Sequence, residues 1–183
     1  MAEQLTPDLC IIGGGSAGLS IAAAAATLGA PVVLIEKGRM GGECLNTGCV
    51  PSKAMIAAGK RAAAFRTSAP FGIRSAKPAI AFDEVNDHIH RVIDAIAPND
   101  SKERFTGLGV RVIEGEARFF DGKTVVVGPA SDVRFEIRAR RFVTATGSRP
   151  IVPAVSGIEQ VPYLTNENAF AIRERPEHLI VLG

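Results

Sequence analysis

The chain has 183 residues, of which 46% are hydrophobic and 22% are charged, a composition typical of a globular protein with one domain-sized core. Its formal net charge of +2 gives no reason to expect binding to nucleic acid or to an anionic membrane. The N-terminus lacks the basic-then-apolar order of a signal peptide, and every apolar run is interrupted before it reaches the roughly 20 residues that span a bilayer. We therefore expect a cytoplasmic protein with no membrane association.

The first elements in chain order are two strands with a helix between them. Residues 8–12 and 31–36 are short apolar runs, which favour buried parallel strands. Residues 16–28 are rich in Ala and are followed by Gly29, so this stretch predicts a helix with a glycine at its end. Cys10 falls inside the first strand, where a small buried hydrophobic residue is the simplest interpretation.

The turn between the first strand and the helix has the sequence Gly-Gly-Gly-Ser-Ala-Gly, a G-x-G-x-x-G pattern. Its glycines permit a tight turn, approach of a pyrophosphate to the backbone and close helix–strand packing, while the N–H groups at the helix start attract phosphate. Glu36 ends the next strand, 23 residues after Gly13, where a carboxylate accepts hydrogen bonds from ribose hydroxyls. The pattern predicts a dinucleotide site without distinguishing FAD from NAD. The residues assigned to it are Gly13, Gly15, Ser16, Ala17, Gly18 and Glu36.

A second motif follows the second strand. Residues 41–53, GGECLNTGCVPSK, resemble the redox-active disulfide motif of the pyridine nucleotide–disulfide oxidoreductases, which include glutathione reductase, dihydrolipoamide dehydrogenase and mercuric reductase. Physically, a C-x4-C pair at a helix start can close a small ring, and the helix dipole there stabilises a thiolate. Two buried thiols or half of a zinc site are the structural alternatives, although no second Cys/His pair stands at a suitable spacing.

The resemblance implies a role for each residue around this motif. Cys44 is expected to exchange with the substrate, and Cys49 is expected to lie beside the flavin. Lys53 follows Cys49 by one turn of a helix predicted over residues 48–65, so both share one helix face, and it is expected to lie near the flavin ring. Glu43 departs from the Thr common at its position in the family. The same resemblance assigns Lys37 and Gly42 to cofactor binding.

The middle of the chain changes from a helical to a strand-like pattern. Residues 82–96 carry apolar side chains at helical spacing, and Pro98 ends or bends this helix. His88 and His90 lie on its polar side, where solvation is favoured over metal binding, and no metal site is predicted. From Val110 onward the period approaches two, which predicts a short antiparallel section and then a return to the main sheet. The runs are residues 110–115, 117–121, 124–127, 134–138 and 142–145.

Two further segments resemble cofactor-contacting parts of the same family. Residues 142–150 resemble the second FAD fingerprint, in which a strand ending in Ala-Thr-Gly returns beside the first strand, and this assigns Thr146 and Gly147 to the cofactor site. Small residues suit a close approach of backbone to cofactor. The segment 115–117 resembles the stretch whose backbone contacts adenine, which adds Ala117.

The C-terminal residues 176–183 predict a turn leading into a new buried strand, whose first glycine is Gly183. The expected fold is therefore α/β: a Rossmann-like FAD-binding domain over residues 1–150, with a parallel sheet and a small antiparallel β section. Residues 151–183 are expected to form an interdomain segment and the first strand of a truncated NAD(P)-binding domain.

The resemblance implies a flavoenzyme in which electrons pass from NAD(P)H through FAD to a Cys44–Cys49 disulfide and on to a dithiol, disulfide or metal-ion substrate. A full-length member is expected to be a homodimer, through a domain absent from this sequence, and the fragment alone is expected to be inactive. Two alternatives stay open: a flavoprotein of another class without dithiol chemistry, and a non-enzymatic FAD-binding or interaction fragment.

Overall fold

The computed structural model describes residues 2–74 and 78–182, which fold as an α/β protein. They form two compact units. The first contains the chain up to Asn46 together with Ile96–Arg149, and the second contains Thr47–Ala95 together with the chain from Pro150 onward. The domain boundary expected at residue 150 stays a prediction.

The strands are β1 (Glu3–Leu5), β2 (Leu9–Ile12), β3 (Val32–Glu36), β4 (Arg111–Glu114), β5 (Ala117–Asp121), β6 (Thr124–Val127), β7 (Phe135–Arg138) and β8 (Arg141–Thr144). The helices are α1 (Ser16–Thr27), α2 (Gly42–Asn46), α3 (Cys49–Arg66), α4 (Phe82–Ile96) and α5 (Lys102–Gly107). Short 3-10 turns occur at Ala69–Phe71, Ala97–Asp100 and Ile158–Gln160.

The main sheet of the first unit has the strand order β4-β3-β2-β8, and each neighbouring pair is parallel. The strands β2 and β3 confirm the two strands predicted from the apolar runs, and α1 between them confirms the predicted helix. Gly29 has a φ of +78° just beyond the end of α1, a conformation that glycine adopts without steric cost. Side chains from the sheet, α1 and α5 form one apolar cluster: Ile11, Leu19, Ala22, Val32, Leu34, Phe105, Val110 and Val112.

The position of β4 corrects one expectation. Its run was expected in the antiparallel section, but β4 pairs in parallel with β3, from Val33 beside Arg111 to Glu36 beside Glu114. Val112 and Ile113, whose side chains point to opposite faces, are both buried. The sequence period does not report strand direction; the preceding helix α5 carries the chain back so that β4 runs alongside β3.

A second sheet of the first unit, also of four strands, has the order β1-β7-β6-β5. The pairs β5–β6 and β6–β7 are antiparallel, which confirms the predicted antiparallel section. The strand β1 pairs in parallel with β7 and was not predicted, because three residues, Glu-Gln-Leu, are too few to display a period. The chain then returns through β8 to the main sheet, as expected.

The second unit contains α3 and most of α4, both at the places predicted from the sequence. Within this unit Asn86 is buried in α4, and its Nδ2 donates hydrogen bonds to the carbonyls of Phe170 at 2.7 Å and Ile172 at 3.0 Å. The C-terminal strand expected over residues 176–183 differs from what is observed. Residues 179–182 are exposed and lie in no strand, because a strand requires a neighbour and no described strand pairs with them; Gly183 lies outside the described residues.

Candidate functional site

The glycine-rich turn follows the carboxyl end of β2, where its backbone is held against two neighbouring strands. The N–H of Gly13 donates to the carbonyl of Ile35 at 2.8 Å, and the N–H of Ala145 donates to that of Ile12 at 2.8 Å. Gly13 has a φ of +112°, and a Cβ on it would overlap the carbonyl of Ala145. Glycine is therefore required at this position by both backbone conformation and space.

This turn lies at the point where the strand order reverses. From β2 the chain passes through α1 to β3 on one side, whereas β8 occupies the other side of β2. In open parallel sheets such a point leaves a crevice outside the carboxyl ends of the strands, and ligands bind there. The sequence-predicted residues Thr146 and Gly147 follow the end of β8 and are exposed, and Gly147 has a φ of +71°.

The start of α1 is packed tightly against the turn. A Cβ on Gly18 would overlap the carbonyl of Gly13 and would lie 3.3 Å from Cγ2 of Ile11, so the helix approaches the strand as closely as the backbone allows. Gly15 precedes the helix and provides no side-chain cap, while Ser16 and Ala17 are exposed in its first turn. The N–H groups at this helix start are thus available to an anionic group.

Glu36 ends β3 and organises the backbone around the turn. Its half-buried carboxylate accepts a hydrogen bond from the N–H of Gly14 at 2.5 Å and another from the N–H of Gly38 at 2.6 Å. An ionised carboxylate offers about four lone-pair sites, so acceptor capacity remains for hydroxyl donors. The arrangement fits the predicted role of Glu36 in binding a ribose.

The segment before β5 lies beside Glu36. The N–H of Gly115 donates to the main-chain carbonyl of Glu36 at 2.9 Å, and Nζ of Lys37 lies 3.8 Å from Oε1 of Glu116. Ala117 is half-buried at the start of β5. The structure thus brings Lys37 and Ala117 to the same end of the sheet as the glycine turn.

The start of α2 lies directly against the glycine turn. The N–H of Gly41 donates to the carbonyl of Gly14 at 2.9 Å. Gly42 has a φ of +57°, and a Cβ on it would lie 2.6 Å from the Cα of Gly15. Only glycine permits this backbone contact, which places the start of α2, the helix that contains the half-buried Cys44, against the glycine-rich turn.

Cys49 and Lys53 belong to the second unit. Cys49 is the first residue of α3 and is exposed, and Lys53 is exposed one turn later. Pro51 lies in the first turn of α3, as expected from its missing N–H. The pairing of Cys44 with Cys49 stays a prediction from their spacing in the sequence.

Cys10 differs from the other two cysteines in its surroundings. It is fully buried in β2, and this burial raises the pKa of its thiol to about 12. A thiol that stays protonated is a poor nucleophile, which agrees with the structural interpretation of Cys10.

Gly38 lies outside both sequence motifs, and Gly41 was quoted in the second motif without a role of its own. Gly38 supplies one of the two N–H groups that bind the carboxylate of Glu36. Gly41 has a φ of +85°, and a Cβ on it would lie 2.7 Å from Cβ of Leu45. The glycines that follow Glu36 in the sequence were the available signal, but residue type alone does not show which N–H group faces the carboxylate.

The described residues contain no group of three or more His, Cys, Asp and Glu side chains that could hold a metal ion. In α4, Nδ1 of the exposed His90 lies 2.9 Å from the carbonyl of Asn86, and His88 is half-buried. Within residues 2–74 and 78–182, no helix has the length and apolar character needed to cross a membrane.

Comparison with known protein families gives one match over nearly the whole chain. Residues 7–183 match the family described as pyridine nucleotide-disulphide oxidoreductase. A mercuric reductase from Streptomyces lividans is 34% identical over 177 residues, covering 96% of this chain and 37% of the relative. A mercuric reductase from Staphylococcus aureus is 34% identical over 176 residues, covering 96% of this chain and 31% of the relative.

A relative with another name is similar to the same extent. Dihydrolipoyl dehydrogenase 3 from Haloarcula marismortui is 33% identical over 181 residues, covering 96% of this chain and 37% of the relative. The chain therefore spans about a third of the length of the relatives described here.

Among solved structures, the fold resembles the Cu(II) complex of a mutant of the HOCl-induced flavoprotein disulfide reductase RclA from Escherichia coli. The TM-score is 0.73 at 21% sequence identity, and the match covers 95% of this chain and 35% of that one. At this identity the likeness establishes the fold and nothing further.

Proposed function

The chain belongs to the pyridine nucleotide-disulphide oxidoreductase family, and we propose that it is the FAD-binding part of an enzyme that passes electrons from NAD(P)H through FAD to a Cys44–Cys49 disulfide. Because the chain spans only 31–37% of the relatives compared, the activity, substrate and partners of the whole protein are all parts of this proposal.

The observation that carries the proposal is the arrangement around Glu36. Its carboxylate accepts the N–H groups of Gly14 and Gly38 and retains acceptor capacity at the crevice where the strand order reverses. The uncapped start of α1 lies beside the same turn. A carboxylate for ribose next to N–H groups for a pyrophosphate is the donor and acceptor set that a dinucleotide requires.

The remaining residues are proposed to fit the rest of FAD. Ala117 would lie at the adenine, Lys37 beside the adenosine, and Thr146 with Gly147 where small residues let backbone approach the cofactor. Lys53 is proposed to lie near the flavin ring, and Gly42 is proposed to belong to the same cofactor site. Bound FAD would supply the chemistry that connects a hydride donor to a disulfide.

The two cysteines are proposed to carry the exchange chemistry. Uptake of two electrons and two protons breaks the Sγ–Sγ bond and leaves two thiols. The thiolate of Cys44 then attacks a substrate disulfide, forming a mixed disulfide and releasing one substrate thiol. The thiolate of Cys49 attacks Sγ of Cys44, which restores the Cys44–Cys49 bond and releases the second substrate thiol.

The substrate class is proposed to be a dithiol, a disulfide or a metal ion, since the similar proteins are named as mercuric reductases and a dihydrolipoyl dehydrogenase. We further propose that a full-length protein forms a homodimer. The 183 residues are proposed to bind FAD without sustaining NAD(P)H turnover, because they span about a third of the relatives' length.

FAD binding by the purified chain tests the first half of the proposal. We expect the chain to retain FAD through gel filtration and Glu36→Gln to bind it about tenfold more weakly, because the neutral amide loses a charge-assisted hydrogen bond to ribose. The matched control is Glu177→Gln, which changes an exposed carboxylate and should leave the affinity unchanged. A folded chain that retains no FAD would support an interaction role instead.

A reductive titration of the FAD-loaded, air-oxidised chain tests the second half. The chain should accept two electrons more per FAD than Cys44→Ser or Cys49→Ser, because each variant lacks the disulfide and its two-electron couple. Cys10→Ala is the matched control and should match the unmodified chain. Equal electron uptake by all four proteins would instead support a flavoprotein without dithiol chemistry.

A further inference from the structure

Arg134 lies between β6 and β7 in the second sheet, and its backbone is fixed on both sides. Its N–H donates to the carbonyl of Val127 at 2.9 Å, and its carbonyl accepts from the N–H of Glu3 at 2.9 Å. These bonds tie the residue to β6 and β1. A side chain that starts from such an anchored backbone reaches its contact with a smaller loss of conformational entropy than one on a free loop.

The guanidinium of Arg134 extends toward the end of the main sheet, where it contacts the segment after β4. Its Nη2 donates to the carbonyl of Glu114 at 3.2 Å and lies 3.1 Å from the position that a Cβ on Gly115 would occupy. Gly115 has a φ of +156°, and the same Cβ would lie 2.6 Å from Cγ1 of Val127. The backbone conformation and the contact with Val127 favour glycine at this position, and its missing side chain leaves the space beside the guanidinium open.

The contacted segment is joined by hydrogen bonds to the glycine-rich turn. The N–H of Gly115 donates to the carbonyl of Glu36 at 2.9 Å, and the carboxylate of Glu36 binds the N–H groups of Gly14 and Gly38. A continuous series of hydrogen bonds therefore runs from Arg134 through the end of β4 to the turn after β2. Every residue in this series belongs to the first compact unit.

We infer that Arg134 is a positioning residue for the adenosine half of the cofactor: it holds Glu114–Gly115 in place and thereby fixes Glu36 and Ala117. The inference rests on the proposed function, since it concerns the FAD site proposed above. Arg134 acts through other residues, so its removal should weaken binding while the two sheets remain folded.

The test measures the FAD dissociation constant and the urea midpoint of the same purified proteins. Arg134→Ala should bind FAD about fivefold more weakly, because the segment at Glu114–Gly115 must then be ordered when FAD binds, whereas the unfolding midpoint should change little because the lost hydrogen bond is exposed. Arg134→Lys should restore most of the affinity, because an ammonium group can still donate to the carbonyl of Glu114. Arg118→Ala, on the exposed part of β5, is the matched control and should have no effect.

A spectroscopic readout separates positioning from general stability. In NMR spectra of the FAD-free chain, the amide resonances of Gly115 and Gly38 should change their chemical shifts in Arg134→Ala and keep them in Arg118→Ala. Unchanged FAD affinity in Arg134→Ala would overturn the inference while leaving the proposed function intact. A loss of affinity in a variant that is already partly unfolded without FAD would overturn it as well. Absence of FAD binding by the unmodified chain would instead refute the proposed function itself.

Discussion

The two compact units differ in the interactions that stabilise each of them. In the first, one apolar cluster joins the main sheet to α1 and α5 and another contains side chains of both sheets, while glycines let α1 and α2 touch the backbone of the glycine-rich turn. In the second, the segment after Pro150 contains no described helix or strand beyond one short 3-10 turn. Its well-defined attachment is a polar one, to Asn86 of α4.

The polar attachment in the second unit involves every group of the Asn86 side chain. While Nδ2 donates to the carbonyls of Phe170 and Ile172, Oδ1 accepts from Nη1 of Arg173 at 3.3 Å. A second nitrogen of Arg173 lies 2.9 Å from Oδ1 of Asp87. The comparison teaches that apolar burial and backbone contact hold the glycine-rich turn in the first unit, whereas a few directional hydrogen bonds hold the segment after Pro150 in the second.

Matched glycine substitutions in the two units should give the largest effect. Gly18→Ala should lower the free energy of unfolding by about 3 kcal/mol, because the added methyl group overlaps the carbonyl of Gly13. Gly59→Ala should raise it by about 1 kcal/mol, since Gly59 lies in α3 with no atom within 4 Å of its would-be Cβ. Urea unfolding measures both values.

Opposite signs for these two substitutions would sharpen the contrast between the tightly packed helix α1 and the open surface of α3. Equal effects would mean that the close approach of α1 to β2 can relax, and the argument that glycine is required there would be wrong.

Asn86→Leu should give the next largest effect, because it removes the side-chain hydrogen bonds of Asn86 from the second unit. The partly buried carbonyls of Phe170 and Ile172 lose their donor, and each such group without a partner costs about 1 kcal/mol. Native-state hydrogen exchange should show faster exchange of the amides in residues 165–173, with unchanged protection in β2 and β3.

The matched control for Asn86→Leu is Asn99→Leu, which makes the same change at an exposed position. It should leave exchange in residues 165–173 as it is in the unmodified chain. If Asn86→Leu also leaves this exchange unchanged, packing rather than hydrogen bonding holds the segment, and the contrast between the units disappears.

Alkaline pH should give the smallest effect and act on the first unit through Cys10. Burial raises the pKa of Cys10 from 9.0 to about 12, so the unfolded chain loses this proton before the folded chain does. The stability contribution is complete below pH 9 and is lost as the pH rises from 9 to 12, at up to about 1.4 kcal/mol per pH unit.

Urea unfolding at pH 8 and near pH 10 measures this loss in the unmodified chain and in Cys10→Ala. The variant should lose about 1 kcal/mol less between the two pH values. An identical loss in both proteins would show that other groups account for the alkaline destabilisation.

The sequence predicts those elements whose pattern extends over enough residues. The helices α1, α3 and α4 and the strands β2 and β3 follow from helical spacing, alanine content and apolar runs. The elements β1, α2 and α5 contain three, five and six residues, which are too short to display a period. Their formation depends on neighbours: β1 pairs with β7, and α2 begins against Gly15.

For the candidate site, the sequence by itself determined which residues are proposed: the glycine turn and Glu36 from their pattern and spacing, and the two cysteines from their spacing and the family resemblance. Only the tertiary structure decided that β4 runs parallel to β3, that Gly38 shares the carboxylate of Glu36, and that Arg134 reaches the carbonyl of Glu114. These features depend on strand direction and on contacts between residues distant in the chain, and local sequence periodicity contains neither.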